Sequence, residues 1–105
     1  MPHIEAKTDI ITQINVFDVE PENQQALIDL LIESAEFCRN IPGWISASIH
    51  RSPDGRRVVN YAQSENMQAA QHIIERLLEK GFLERNKLLG VAHPGLYTVV
   101  ATIER

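Results

Sequence analysis

The hydrophobic and polar positions change their period along the chain in a way that predicts a definite order of elements. From Asp9 to Val19 the residues are rich in Ile, Thr, Val and Phe, and both alternate sets are partly apolar, which predicts a strand covered on both faces. Pro21 suits the first turn of a helix, where its missing N–H costs nothing. Leu27, Leu30, Leu31, Ser34 and Cys38 then recur at helical spacing, with Asp29, Glu33, Glu36 and Asn40 opposite, and the helix is expected to stop before Pro42-Gly43. Trp44 to Ser52 and Arg57 to Ser64 read as two strands around Pro53-Asp54-Gly55, a three-residue hairpin loop with Gly55 in the left-handed position. That loop length pairs Ser52 with Arg56, and so sets Ser48 opposite Asn60 and Trp44 opposite Ser64. One face of the hairpin then carries Trp44, Ser46, Ser48, His50, Val58, Asn60, Ala62 and Ser64, and the other Ile45, Ala47, Ile49, Val59 and Tyr61.

A second helix is expected from about Glu65, with Met67, Ala70, Ile74, Leu77 and Leu78 on one side, Ser64 as its N-cap and Gly81 at its end. Phe82 to Gly90 reads either as a further short helix or as a connection, and Leu96 to Ile103, rich in β-branched residues, as the final strand. The resulting order, βαββαβ, predicts an α+β ferredoxin-like fold: a four-stranded antiparallel sheet with both helices on one side. The other side would expose Ile45, Ile49, Val59 and Tyr61. A patch of that size is best covered by a second copy, so a homodimer with sheets face to face is expected.

Composition narrows the function classes. The 105 residues suit one folding unit spanning 1–105. The single cysteine, Cys38, cannot form an intrachain bridge and reads as a core residue, which fits a reducing cytoplasm. Met1 to Thr8 has no apolar leader pattern and no run approaches a membrane span, so a soluble, unprocessed chain is expected. The formal charge of −4 argues against nucleic acid, since the one basic knot, Arg51, Arg56 and Arg57, flanks a turn. His3, His50, His72 and His93 are scattered without ligand spacing, and no Gly-rich loop follows a strand, so neither metal nor nucleotide cofactor is expected.

Four hairpin residues carry candidate chemistry. Asn60 goes against strand propensity, and a buried amide must be hydrogen-bonded, so it is either structural or part of a site. Trp44 is a pocket wall or a core anchor, and His50 a proton donor or a satisfied strand histidine. Ser64 fits an N-cap better than a nucleophile, because no Ser-His-acid order accompanies it.

Ile41-Pro42-Gly43-Trp44, then His50-Arg51-Ser52-Pro53-Asp54-Gly55, then Val58-Val59-Asn60-Tyr61-Ala62-Gln63 resemble the antibiotic biosynthesis monooxygenase family of dimeric α/β barrels, with the likeness running from about Ile10 to Ile103. The resemblance implies a compact ferredoxin-like dimer that oxidises an electron-rich aromatic, such as an anthrone, phenol or quinol, with molecular oxygen and without metal or flavin. It implies that Asn60 holds the substrate and polarises its oxygen, and that Trp44, Ser48, His50, Ser64, Ala70 and Ile74 surround the small aromatic ligand. Two positions depart from the family pattern: Ser64 stands where Trp is usual, and Ala70 where the anthrone oxidases carry a pocket Tyr. Both losses remove ring bulk, which predicts a roomier pocket. They also keep open a second reading, a non-catalytic dimeric binding module on the same scaffold. A haem-degrading relative is a third, weaker alternative, because Ser64 lacks the junction Trp and His72 lies two residues from the expected helix position.

Overall fold

A computed structural model of the chain describes residue 4 and residues 9–105; His3 and most of the segment before Asp9 lie outside the described residues. The elements are β1 (Ile11–Val19), a 3₁₀ turn (Pro21–Asn23), α1 (Gln24–Cys38), β2 (Trp44–Arg51), β3 (Arg57–Ser64), α2 (Met67–Glu79), α3 (Phe82–Lys87) and β4 (Gly90–Tyr97). The strands form one antiparallel sheet in the order β2-β3-β1-β4. This is the ferredoxin-like α+β arrangement, with α3 inserted before the last strand. No helix of the described residues is long and apolar enough to cross a membrane.

The helix-facing side of the sheet is set by strand alternation. Ile11, Phe17 and Val19 of β1 and Val58 of β3 are buried, and α1 lays Leu27, Ile28 and Leu31 over Phe17, Val19 and Val58. Complete burial of a side chain such as Phe17 is worth about 1.5–3 kcal/mol relative to exposure. A second cluster of Cys38, Ile41 and Ile73 packs with Phe37, Trp44 and Leu77, joining α1 to α2 beyond the end of β2. Gly81 stops α2 with φ 81°, a left-handed conformation that glycine adopts without steric cost, and the same residue starts α3.

Three expectations are corrected. The hairpin loop holds four residues rather than three: Ser52 N–H donates to the Arg57 carbonyl at 3.1 Å, and Gly55 N–H to the Ser52 carbonyl at 3.1 Å. Gln24, at the start of α1, holds the loop there, its Nε2 donating to the Ser52 carbonyl at 3.1 Å and the Arg57 carbonyl at 3.0 Å. One extra residue shifts the register by one, so Ile49 rather than Ser48 faces Asn60, and Ala47 faces Ala62. Side chains on β2 therefore exchange faces. Ile49 joins the core, while Ser48 and His50, hydrogen-bonded to each other at 2.9 Å, lie on the open face beside Tyr61 and Val59. A bulge between Trp44 and Ser46 restores the expected Trp44–Ser64 pair and leaves Ile45 exposed.

The last strand is Gly90–Tyr97 and shares only Leu96 and Tyr97 with the expected Leu96–Ile103. Pro94 and two glycines obscured it, yet β4 pairs with β1 alone, and an edge strand uses half of its backbone groups, which is where proline fits. The N-cap of α2 is Asn66, whose Oδ1 accepts from Ala69 N–H at 2.8 Å, whereas Ser64 ends β3.

Candidate functional site

Between the sheet and the two long helices lies a small cavity. Trp44 and Ala47 reach it from β2, Asn60, Ala62 and Ser64 from β3, Gln13 from β1, Ser34 and Cys38 from α1, and Ala70, Ile73 and Leu77 from α2. The structure thus brings together Asn60, Trp44, Ser64 and Ala70. Ile73 takes the place expected of Ile74, because the inward stripe of α2 runs Ala70, Ile73, Leu77 and leaves Ile74 half-buried beside it. Ser48 and His50 are not part of this lining, for the register reason given above. His72 is exposed on α2, which leaves the haem-degrading alternative without its helix histidine.

The cavity measures about 30 Å³, room for about one water molecule, and corrects the expectation of a roomier pocket. Small residues have brought the helix down instead of leaving space. Ala70 and Ser64 are buried, and Gly43 at φ 91° lets the start of α2 come so close that a Cβ on Gly43 would collide with the Ala69 methyl. The Gly43 carbonyl accepts from Glu65 N–H at 2.8 Å and holds that approach.

One polar feature stands out in these apolar surroundings. The Oδ1 atoms of Asn60 and Asn15, like that of Asn86 on α3, are buried and have no hydrogen-bond partner among the described residues. The two residues are direct cross-strand neighbours, Asn15 on β1 and Asn60 on β3, so both project toward the helices. An unsatisfied buried amide oxygen costs about 1–3 kcal/mol, and two side by side mark a place where a hydrogen-bond donor is missing. Sequence reasoning passed over Asn15. Its signal was the one that exposed Asn60, an asparagine in mid-strand against β propensity.

The electrostatics of the cavity are otherwise quiet. Cys38 lines it, and burial pushes its thiol up to about 11, so it stays protonated at neutral pH. Among the described residues no group of three or more His, Cys, Asp or Glu side chains is placed to hold a metal ion. The arrangement puts the Asn60 carboxamide on the cavity wall, with the Asn15 carboxamide beside it across the strand pair. Each carboxamide can accept from a hydroxyl through its oxygen and donate to an oxyanion through its nitrogen.

Several known proteins resemble this chain in sequence and fold. The family model described as antibiotic biosynthesis monooxygenase matches residues 10–72. Tetracenomycin-F1 monooxygenase of Streptomyces glaucescens is 45% identical over 80 residues, which cover 73% of this chain and 71% of that protein. Among solved structures, the monooxygenase from the gene ActVA-Orf6 of Streptomyces coelicolor, in complex with nanaomycin D, is 30% identical with a TM-score of 0.79, covering 92% of this chain and 93% of its own. SnoaB, a cofactor-independent oxygenase from Streptomyces nogalater, has a TM-score of 0.80 at 21% identity, covering 93% of this chain and all of its own, a likeness of fold.

Proposed function

The chain belongs to the antibiotic biosynthesis monooxygenase family, and on that premise we propose that it is a cofactor-independent monooxygenase acting on an electron-rich polycyclic phenol or anthrone. The observation that carries this reading is the pair of unpartnered amide oxygens, Asn60 and Asn15, facing the helices beside an apolar cavity. In the reaction an anthrone methylene and one O₂ give a quinone carbonyl and one water, with the substrate supplying the electrons. The protein's part is to remove water from the phenol, accept its hydroxyl hydrogen bond, and donate to the oxyanion as it forms. Trp44 supplies a flat wall for the rings, and Ser64 and Ala70 set the depth.

A polycyclic ligand needs a pocket of at least about 300 Å³, so the present 30 Å³ requires the site to open. Helix α2 is the element suited to move. It buries Ala70 and Ile73, whereas α1 buries seven of its residues and stays with the sheet. The same closed cavity, with the family's two aromatics absent, favours the second reading, a module that binds its ligand without turning it over.

The protein is further proposed to work as a cytoplasmic homodimer through the open sheet face. That face carries Ile14, Val16, Val59 and Tyr61 without covering helices, beside the Ser48–His50 pair and the His93–Asp18 contact at 2.9 Å. It is more polar than expected, because Ile49 has moved to the core and His50 has replaced it.

Oxygen uptake measured with an anthrone and a panel of quinols, alongside direct binding, tests the assignment. Uptake matched by equimolar quinone supports the monooxygenase. Saturable binding without uptake on any substrate leaves the binding module.

A further inference from the structure

Two rows of paired residues start in the cavity and end on open ground. Asn60 of β3 faces Asn15 of β1, which faces Pro94 of β4, and in the next row Ala62 faces Gln13, which faces Leu96. Directly paired residues share a face of the sheet, so all of these project toward the helices. Asn60, Ala62 and Gln13 line the cavity, whereas Pro94 is exposed and Leu96 is 38% exposed. The helix layer ends between β1 and β4: Phe17 is fully buried, yet Ala92, its neighbour on β4 and on the same face, is exposed. Ala92, Pro94 and Leu96 thus form a bare apolar ledge that continues the cavity floor out to the sheet edge. A single exposed aliphatic is ordinary on a protein surface, but this ledge adjoins a buried amide oxygen, that of Asn15, which lacks a hydrogen-bond partner among the described residues.

We propose that Pro94 and Leu96 determine specificity, forming a ledge that carries the rings of an aromatic ligand outside the cavity, so that the site selects fused polycycles laid across the strands. The inference rests on the aromatic ligand proposed above and deepens it by assigning the ligand's length and direction. Adjacent strands stand about 4.8 Å apart, so the row from Asn60 to Pro94 spans roughly 10 Å. A single ring cannot cover that distance, whereas a linear tricyclic or tetracyclic system can. Laid along the row, such a ligand has its leading edge at Asn60, a hydroxyl donating to Asn15 Oδ1 and its far ring on Pro94, whose own ring is apolar and has no N–H to leave unpaired. The ledge also reduces the opening that the site needs. Only the leading ring has to enter beneath α2, and the remainder rests where β4 is bare.

The test titrates a dihydroxyanthraquinone, already oxidised at its central ring, and a monocyclic quinol into the full-length protein, with affinity read by calorimetry and leucine methyl groups by NMR. The expected result is magnetisation transfer from the anthraquinone ring protons to the Leu96 methyls. Leu96→Asp should weaken the anthraquinone at least about tenfold, the effect of withdrawing part of a leucine's apolar contact and setting a charge against the rings, and change the quinol by less than about twofold. Pro94→Glu should act in the same direction. Both positions are exposed on an edge strand, so the melting temperature and light-scattering mass of each variant should match those of the unsubstituted protein. Undiminished anthraquinone binding in both variants, equal losses for the one-ring and three-ring ligands, or transfer to Leu77 without any to Leu96 would each overturn the ledge while leaving an aromatic ligand in place. A fall in mass on Leu96→Asp would overturn it too, by making the strip a contact between subunits. An unsubstituted protein that binds neither probe loses the aromatic-ligand reading, and the ledge with it.

Discussion

Replacing Asn60 with leucine, similar in shape but apolar, separates a binding amide from a structural one. In the free protein Asn60 Oδ1 is buried without a partner, so the substitution breaks no hydrogen bond at that oxygen and removes a desolvation penalty. Relief of an unsatisfied buried polar group is worth about 1–3 kcal/mol, and leucine fits the apolar walls given by Trp44, Ala47 and Ile73. For a chain of this size each kcal/mol moves the melting temperature by roughly 4–8 °C. Asn60→Leu is therefore expected to melt at least about 4 °C higher while losing quinol or anthrone binding, measured by calorimetry and by ligand titration on the same preparation. Asn15→Leu should behave alike, since its oxygen is left in the same condition. A variant that melts lower and still binds ligand as the unsubstituted protein does would refute the reasoning and make Asn60 a structural amide.

Ser64→Trp restores the family aromatic but meets a closed cavity with Trp44 directly across the strand pair. Overpacking is expected to cost about 1–3 kcal/mol in denaturant titration unless α2 moves outward, and a stable variant with raised anthrone oxidation would show that it does. Gln24→Ala removes two hydrogen bonds to the Ser52 and Arg57 carbonyls, so a loss of about 1–3 kcal/mol and faster amide exchange in the hairpin are expected; unchanged exchange would relieve Gln24 of its role in setting the loop. Cys38 should resist alkylation in the native state at pH 8. Its raised pKa means that the unfolded thiol ionises first, so stability is complete below about pH 9 and declines as pH rises toward 11, a decline that Cys38→Ala should lack.

Much of this protein was legible in its sequence because the signals are local. The stripe from Leu27 to Cys38 follows from helical spacing, whereas on α2 only Ala70 and Leu77 of the expected set line the cavity, with Ile73 between them and Met67 and Leu78 exposed; the element order follows from where those periods stop at Pro42, Pro53 and Gly81. Asn60, Trp44, Ser64 and Ala70 were brought together by motif likeness, and the fold does place them around one cavity. What the sequence could not decide is whatever depends on a partner far along the chain. The four-residue hairpin loop is held locally, by Asp54 Oδ1 accepting from Arg56 N–H and Ser52 Oγ accepting from Arg57 N–H, and at long range by Gln24 of α1 on the carbonyls of Ser52 and Arg57, and the one-residue step moved Ser48 and His50 to the opposite face. Strand Gly90–Tyr97 exists because β1 offers an edge, whatever the propensity of Pro94, and Thr98 to Ile103 has the propensity but forms no strand. The size of the cavity was decided by how closely Gly43 lets Ala69 approach. Periodicity reports which side of an element is apolar. Register, edge position and helix-to-sheet distance are set by contacts between elements, and those exist only once the chain has folded.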